Sequence, residues 1–325
     1  MSLSILLPTY NSAHMLGPSV RSMLAQTWTE FELLILDDGS EDHTPDVVAS
    51  FHDERIRYIR YPHRGLTATL NAGLREARYD IIARMDADDL CVPWRFERQL
   101  RALQSLPRNT LLSSWSCVFT NSSIGFYLKS PSSSDEIRKG LLLHSYISHP
   151  GLMCYKETLL KHGGYCNKAE IDAFEDYATW LKLKDDIVFH VIPEVLVFQR
   201  YRKESLSNNL AYKQKVMYAI QQPYYDDIRR HFVIAPEEEI QYRGWREYFY
   251  GKKALARRYW KGLGCSIVKS PRIVMAWLVT LFPEPVFVRF KEARIRFRLA
   301  YLFTYFSAES KTIRREFSEL IRAQA

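Results

Sequence analysis

Four short apolar runs, at residues 3–7, 32–36, 56–61 and 81–85, are each followed by a stretch of helical periodicity. They are continuously apolar rather than alternating, which is the pattern of strands covered by helices on both faces. Strand, helix and strand in that order predict an α/β fold with a mostly parallel sheet. The helix starts are marked as well. Thr44-Pro45 sets a capping hydroxyl before a proline suited to the first helical position, and Pro93 opens a helix over 94–106. Ligands of such sheets sit beyond the carboxyl ends of the strands, so the segment after each strand is where chemistry is sought.

Residues 107–207 are less regular. They predict a strand at 111–120, a Ser-rich turn at 130–134, a strand after His149-Pro150, a helix over 175–184, and two strands at 187–192 and 195–201. From residue 208 the pattern is helical, broken by Pro223, Pro236, Pro271, Pro283 and Pro285. The expected organisation is a domain over 1–207, divided into 1–106 and 107–207, with a helical region over 208–325. Residues 1–207 carry 23 Lys and Arg against 26 Asp and Glu, whereas residues 208–325 carry 22 against 11. Basicity is thus confined to the tail, which suits contact with an anionic membrane or nucleic acid, or simply a solvated helical face. The most apolar stretch, 273–282, ends in Pro-Glu-Pro and is about half the ~20 residues needed to span a bilayer. The first residues lack a basic segment and a long apolar one, so they predict a strand rather than a signal peptide. Cys91, Cys117, Cys154, Cys166 and Cys265 are widely spaced, with no C-x-x-C pair. That spacing argues for a reducing compartment, the cytoplasm, and against structural zinc.

After the first run stands Pro8-Thr9-Tyr10-Asn11-Ser12, not the Gly-x-Gly-x-x-Gly turn of dinucleotide enzymes, and no P-loop is present. Asp37-Asp38-Gly39-Ser40 follows the second run and Asp86-Ala87-Asp88-Asp89 the fourth. Two carboxylates at i and i+2 on a tight loop can hold Mg²⁺ or Mn²⁺ while leaving positions open for the phosphate oxygens of a nucleotide diphosphate. The alternative is that Asp88 or Asp89 caps the helix near Pro93 and that 37–40 is an ordinary turn.

The series Pro8-Thr9-Tyr10-Asn11, Gln26-Thr27, Asp37-Asp38-Gly39-Ser40, Arg64-Gly65 with Asn71-Ala72-Gly73, and Asp86-Ala87-Asp88-Asp89 closely resembles the nucleotide-sugar half of family 2 glycosyltransferases of the GT-A fold. His149-Pro150-Gly151, Gly163-Gly164-Tyr165 and Phe174-Glu175-Asp176-Tyr177 followed by Trp180-Leu181 resemble the family's acceptor half. The resemblance covers about residues 3–207. It implies a GT-A domain with a C-terminal helical extension. It also implies inverting transfer of a hexose or N-acetylhexosamine from a nucleotide-diphosphate sugar, a UDP-sugar in the first instance. The acceptor would be a carbohydrate or a lipid-linked sugar, in bacterial surface polysaccharide or glycolipid synthesis.

The resemblance also assigns roles. Thr9, Tyr10, Asn11 and Asp38 would contact the nucleoside, Arg64 the base, Asp86 the ribose or sugar, and Asp88 a Mn²⁺ or Mg²⁺ ion. His149, Glu175 and Trp180 fall on the acceptor side, and Asp176 resembles the catalytic base. An acceptor hydroxyl is a poor nucleophile, and a carboxylate in reach removes its proton during attack. Two departures stand out. Leu70-Asn71 replaces an arginine before the asparagine. Arg200-Tyr201-Arg202 replaces an Arg-x-His whose histidine reaches the metal or diphosphate. Arg202 cannot ligate a cation, so it either neutralises diphosphate charge directly or weakens metal dependence.

In the tail, residues 286–306 form two apolar stripes with Arg289, Lys291, Arg294, Arg296 and Arg298 between them. A helix with two apolar faces has two things to touch. One is the protein, and the second is a partner helix or an anionic membrane surface, which would make the chain peripheral at the membrane's inner face. A helix buried on both sides gives the same pattern. The competing reading is a non-catalytic protein that binds nucleic acid or membrane beside an inactive GT-A-like domain. That reading predicts degraded acidic motifs, whereas these are intact, and no nucleic-acid recognition motif is evident, so no nucleic-acid partner is expected. A sugar nucleotidyltransferase would need a glycine-rich basic loop after the first strand, which Thr9–Ser12 lacks.

Overall fold

The computed structural model describes residues 1–120, 123–142, 145–167, 174–202, 210–231, 235–249, 252–283, 315 and 317–319. The two-striped segment at 286–306 lies outside them. Strands β1 (Leu3–Thr9), β2 (Phe31–Asp37), β3 (Ile56–Arg60) and β4 (Ile81–Arg84) alternate with helices α1 (Ala13–Leu24), α2 (Thr44–Ala49) and α3 (Leu66–Glu76). Then come β5 (Leu90–Cys91), α4 (Arg95–Gln104), β6 (Thr110–Thr120), β7 (Ser123–Leu128), α5 (Ser134–Gly140), a 3-10 turn at His149–Gly151, β8 (Met153–Tyr155), α6 (Glu157–Leu160), α7 (Glu175–Leu183) and β9 (Val188–Arg200). Helices α8 (Leu210–His231), α9 (Pro236–Phe249), α10 (Lys253–Lys261) and α11 (Pro271–Val279) follow, with a 3-10 segment at Gly264–Lys269 before α11.

The strands form one sheet in the order β3-β2-β1-β4-β8-β6-β9-β5, with β7 beside β6. The first four are parallel, and so are β6 and β9, while β8 runs antiparallel between β4 and β6. This is the mostly parallel, helix-flanked sheet of the GT-A fold. Every residue of β1, β2 and β4 is buried, as the continuous apolar runs require. Glu32 sits inside β2 because Ser4 Oγ (2.6 Å) and the Arg78 amide (2.7 Å) donate to its carboxylate.

The two strands expected at 187–192 and 195–201 are one. In β9, Ile192 pairs with Ser114 and Val195 with Trp115, so Pro193 and Glu194 bulge out of register. Proline has no N–H to give a ladder, and a bulge lets the strand continue past it. The chain divides into two compact units. The first gathers Met1–Ile137, Ser145–Lys203 and Tyr305–Ala325, and the second Arg138–His144 and Glu204–Thr304. Phe317 belongs to the first, where its ring packs on Phe119 and Phe198. The second has its own core of Tyr248, Ala256, Trp260, Leu263, Ile273, Ala276 and Val279.

Candidate active site

Thr9 ends β1 and Asp37 ends β2, and the loops beyond them are laced together. The Asp38 amide donates to Thr9 O (2.9 Å), and the Asn11 amide donates to Ser40 Oγ (3.0 Å). Asn11 has φ 47°, a left-handed conformation that asparagine tolerates, and its Oδ1 accepts the Glu41 amide at 2.8 Å. Asp37 accepts the Ser40 amide (2.8 Å) and the Tyr58 hydroxyl. Asp38 is buried, and its carboxylate accepts the Arg64 amide (2.9 Å), the Gly65 amide (3.0 Å) and the Thr69 hydroxyl (2.8 Å), with His63 Nδ1 also 2.9 Å away. Exposed side chains here include Tyr10, stacked on the likewise exposed His63 with centroids 4.4 Å apart, and Arg64, whose guanidinium lies 3.7 Å over the Tyr61 ring. Thr9 is buried, and its Oγ1 has no hydrogen-bond partner.

The loop after β4 is built the opposite way. Asp86, Asp88 and Asp89 bring carboxylate oxygens within 4.8 Å of one another. Burial, then the neighbouring Asp86, pushes Asp88 above the usual carboxylate range; burial with Asp88 and Asp86 pushes Asp89 well above it. Neither caps α4, which starts from Trp94 without a side-chain cap bond. Asp89 instead accepts the Arg200 amide (2.8 Å), while Arg200 Nε donates to Asp88 O (2.9 Å), latching the end of β9 to this loop. That latch carries Arg202 onto Asp88, Nε to Oδ2 2.7 Å. Three crowded carboxylates, two of them raised above their ordinary range, form a donor set suited to a hard divalent cation.

The antiparallel pairing of β4 with β8 brings the His149–Gly151 turn to the end of β4, where the Arg84 amide donates to Leu152 O at 3.0 Å. Arg84 is almost wholly buried and donates to Asp86 (2.6 Å). Burial alone would lower its guanidinium, but Asp86 and Glu175 outweigh that and hold it above its ordinary value. His149 is buried with Nδ1 3.4 Å from Glu175 Oε1, and burial, helped by Arg84, pushes the imidazole down to about 3, so it is neutral. Asp176, in the first turn of α7, is only partly covered; burial raises its carboxyl, and the neighbouring Glu175 adds to the rise. Trp180 is fully buried behind His149, ring centroids 6.0 Å apart, and so reaches no surface. The Asn71 side chain binds both the amide and the carbonyl of Tyr165 (2.8 and 3.0 Å). A Cβ on Gly164, which has φ 80°, would meet Asn71 Oδ1 at 2.2 Å, so the Gly-Gly-Tyr turn is shaped to Asn71.

The structure thus gathers Asp86, Asp88, His149, Glu175 and Asp176 around Arg84, and Thr9, Tyr10, Asn11, Asp38 and Arg64 around the β1 and β2 loops. Three residues were missed from sequence. Arg84 carries a weak signal as a charge at the end of an otherwise apolar strand, Asp89 is shadowed by its neighbour Asp88, and His63 carries none.

Comparison with known proteins identifies the family and the fold. The sequence profile of Glycosyl transferase family 2 matches residues 4–163. An uncharacterized glycosyltransferase of Haemophilus influenzae is 31% identical over 210 residues, 62% of this chain and 76% of that protein. The UDP-Glc:alpha-D-GlcNAc-diphosphoundecaprenol beta-1,3-glucosyltransferase WfgD of Escherichia coli is 25% identical over 216 residues, 63% of this chain and 79% of WfgD. Among solved structures, S. aureus TarS 1–349 in complex with UDP is similar with TM-score 0.55 and 17% identity, over 100% of this chain and 92% of that one. The mannosyltransferase PcManGT of Pyrobaculum calidifontis, in complex with GDP-Man and Mn²⁺, gives 0.54 and 16% over 99% and 85%. A longer TarS chain, of which this chain spans 55%, gives 0.56. At these identities the solved structures speak for the fold, and the sequence relatives for the family. The chain belongs to glycosyltransferase family 2.

Proposed function

We propose that this glycosyltransferase moves a hexose or N-acetylhexosamine from a UDP-sugar to a hydroxyl of a lipid-linked carbohydrate, with inversion, in bacterial surface polysaccharide or glycolipid synthesis. The observation that carries the reading is the convergence of two halves of the sheet: Arg84, at the end of β4, donates to Asp86 (2.6 Å), and His149, beside it, lies 3.4 Å from Glu175, which precedes the partly exposed Asp176 in the first turn of α7. A raised carboxyl is a stronger base and suits proton removal from a sugar hydroxyl. The acceptor oxygen attacks the anomeric carbon, its proton goes to Asp176, and the nucleotide diphosphate leaves with the electrons of the broken C–O bond. Glu175 is turned inward to His149 in the first turn of α7, and Asp176 beside it would face the acceptor.

Asp86, Asp88 and Asp89 would hold Mn²⁺ or Mg²⁺, which supplies neutralisation of the leaving diphosphate. Tyr10 and Arg64 offer exposed flat surfaces for the base, with Thr9, Asn11 and Asp38 shaping the loop beneath. Arg202 adds positive charge toward the diphosphate. The donor class is supported by TarS, whose solved complexes contain UDP and UDP-GlcNAc, and the acceptor class by the name of WfgD. The test is Asp176→Asn. It should keep donor binding, read as thermal stabilisation across a panel of nucleotide sugars with and without Mn²⁺, and lose transfer by about 10²–10⁴-fold. Near-normal transfer would overturn Asp176 as the base.

A further inference from the structure

We propose that the face formed by α11 and the turn after it docks on an anionic lipid surface. Helix α11 is apolar on two sides. Ile273, Ala276 and Val279 enter the core of the second unit beside Trp260 and Leu263. On the other side Met275 and Leu278, followed by Leu281 and Phe282, are 43% to 56% exposed. Of nine exposed large apolar residues among the described ones, these four and Val268 fall within residues 268–282. Scattered exposed apolar residues need no explanation, but a cluster on one face does.

Charge selects the occupant. Residues 252–283 hold seven Lys and Arg and no Asp or Glu. Lys252, Lys253 and Arg257 share an open cleft of about 700 Å³ with Leu281 and Phe282. Arg257 Nη1 donates to Thr280 O (2.5 Å) and Lys253 Nζ to Phe282 O (3.2 Å), which ties the cations to the end of the apolar stripe. Apolar side chains that enter the acyl boundary while adjacent cations meet anionic headgroups are the pattern of an interfacial helix. The nine residues of α11 are about 14 Å long, under half the ~30 Å hydrocarbon core, so the helix lies on the membrane and does not cross it. No helix among the described residues is long and apolar enough to cross. The inference goes beyond the transfer reaction and is tested without donor or acceptor, so the two readings fail separately.

The full chain is sedimented with phosphatidylglycerol-containing and with pure phosphatidylcholine vesicles at low and high salt. Two variants accompany it, one with Met275, Leu278, Leu281 and Phe282 changed to Ser, the other with Lys252, Lys253 and Arg257 changed to Gln, both checked for an unchanged melting point. The expected result is binding to anionic vesicles alone, released by salt. The serine variant should weaken it more than about tenfold, and the glutamine variant roughly fivefold per charge removed. Binding that ignores lipid charge, or that survives both sets of substitutions, overturns the proposal. So does a wild type that ignores vesicles but changes from dimer to monomer in the serine variant, which would assign the face to a second copy of the chain.

Discussion

Two acidic loops follow strands that both pair with β1, and by composition they are near twins: Asp37-Asp38-Gly39-Ser40 after β2 and Asp86-Ala87-Asp88-Asp89 after β4. Their physics is opposite. In the first, amides and hydroxyls from residues 40, 58, 64, 65 and 69 donate to the two carboxylates. In the second, three carboxylates crowd within 4.8 Å and two of them are driven toward protonation. A carboxylate with enough donors is scaffold, and a group of carboxylates with too few is a site for a cation. The count of donors, not of acids, separates them.

The sharpest break of that contrast is Asp88→Asn. It should lower Mn²⁺-dependent nucleotide affinity by about 100-fold or more, read by calorimetry, while the metal-free chain melts no lower, because one of three crowded charges is gone. Asp38→Asn should do the reverse. Its amide places N–H groups against the Arg64, Gly65 and Thr69 donors, destabilising the first unit by about 2 kcal/mol in a denaturant titration. Loss of nucleotide affinity in the Asp38 variant without loss of stability would show that the two loops play the same part.

The parallel strands could be read from sequence because being covered on both faces leaves a local trace, a run of apolar residues. β5, two residues long, left none, and Pro193 inside β9 looked like a strand end until β6 showed its register. The motifs located Asp38 and Asp88 equally well, yet not their different roles, since the donors that saturate Asp38 lie 26 to 31 residues away. Trp180 illustrates the same limit. Its motif set it on the acceptor side, and only packing shows that it backs His149 from within the core. Arg84 acquires its place from the pairing of β4 with β8, a contact between residues about 70 apart.

His149 sharpens the contrast from the basic side, as a titratable group kept neutral by its burial, with the positive charge of Arg84 adding to the effect. Its imidazole is lowered from 6.5 to about 3 in the folded chain. The unfolded chain therefore binds the proton first. Stability is complete above pH 6.5 and is lost as pH falls toward 3, with a slope approaching 1.4 kcal/mol per pH unit from this one group. His149→Asn should flatten that slope in denaturation midpoints measured across the window. An unchanged slope would place a proton on His149 in the native state and remove the neutral histidine from the site.

The smallest effect concerns Arg202, which stands 2.7 Å from Asp88 just beyond the end of β9. A guanidinium cannot ligate a metal, and while it sits on Asp88 it competes with one for the same oxygen. About half of the Arg202 side chain is exposed, so solvent screens the pair and the competition is mild. Arg202→Ala should therefore tighten Mn²⁺ binding a few-fold in the absence of nucleotide. Arg202→His, which adds a neutral imidazole ligand above its ordinary pKa, should tighten it by roughly tenfold. Titration of free Mn²⁺ by electron paramagnetic resonance reads both. Weaker binding in the alanine variant would mean that Arg202 orients Asp88 for the ion instead of competing with it, and the loop after β4 would then be partly scaffold, as the loop after β2 is.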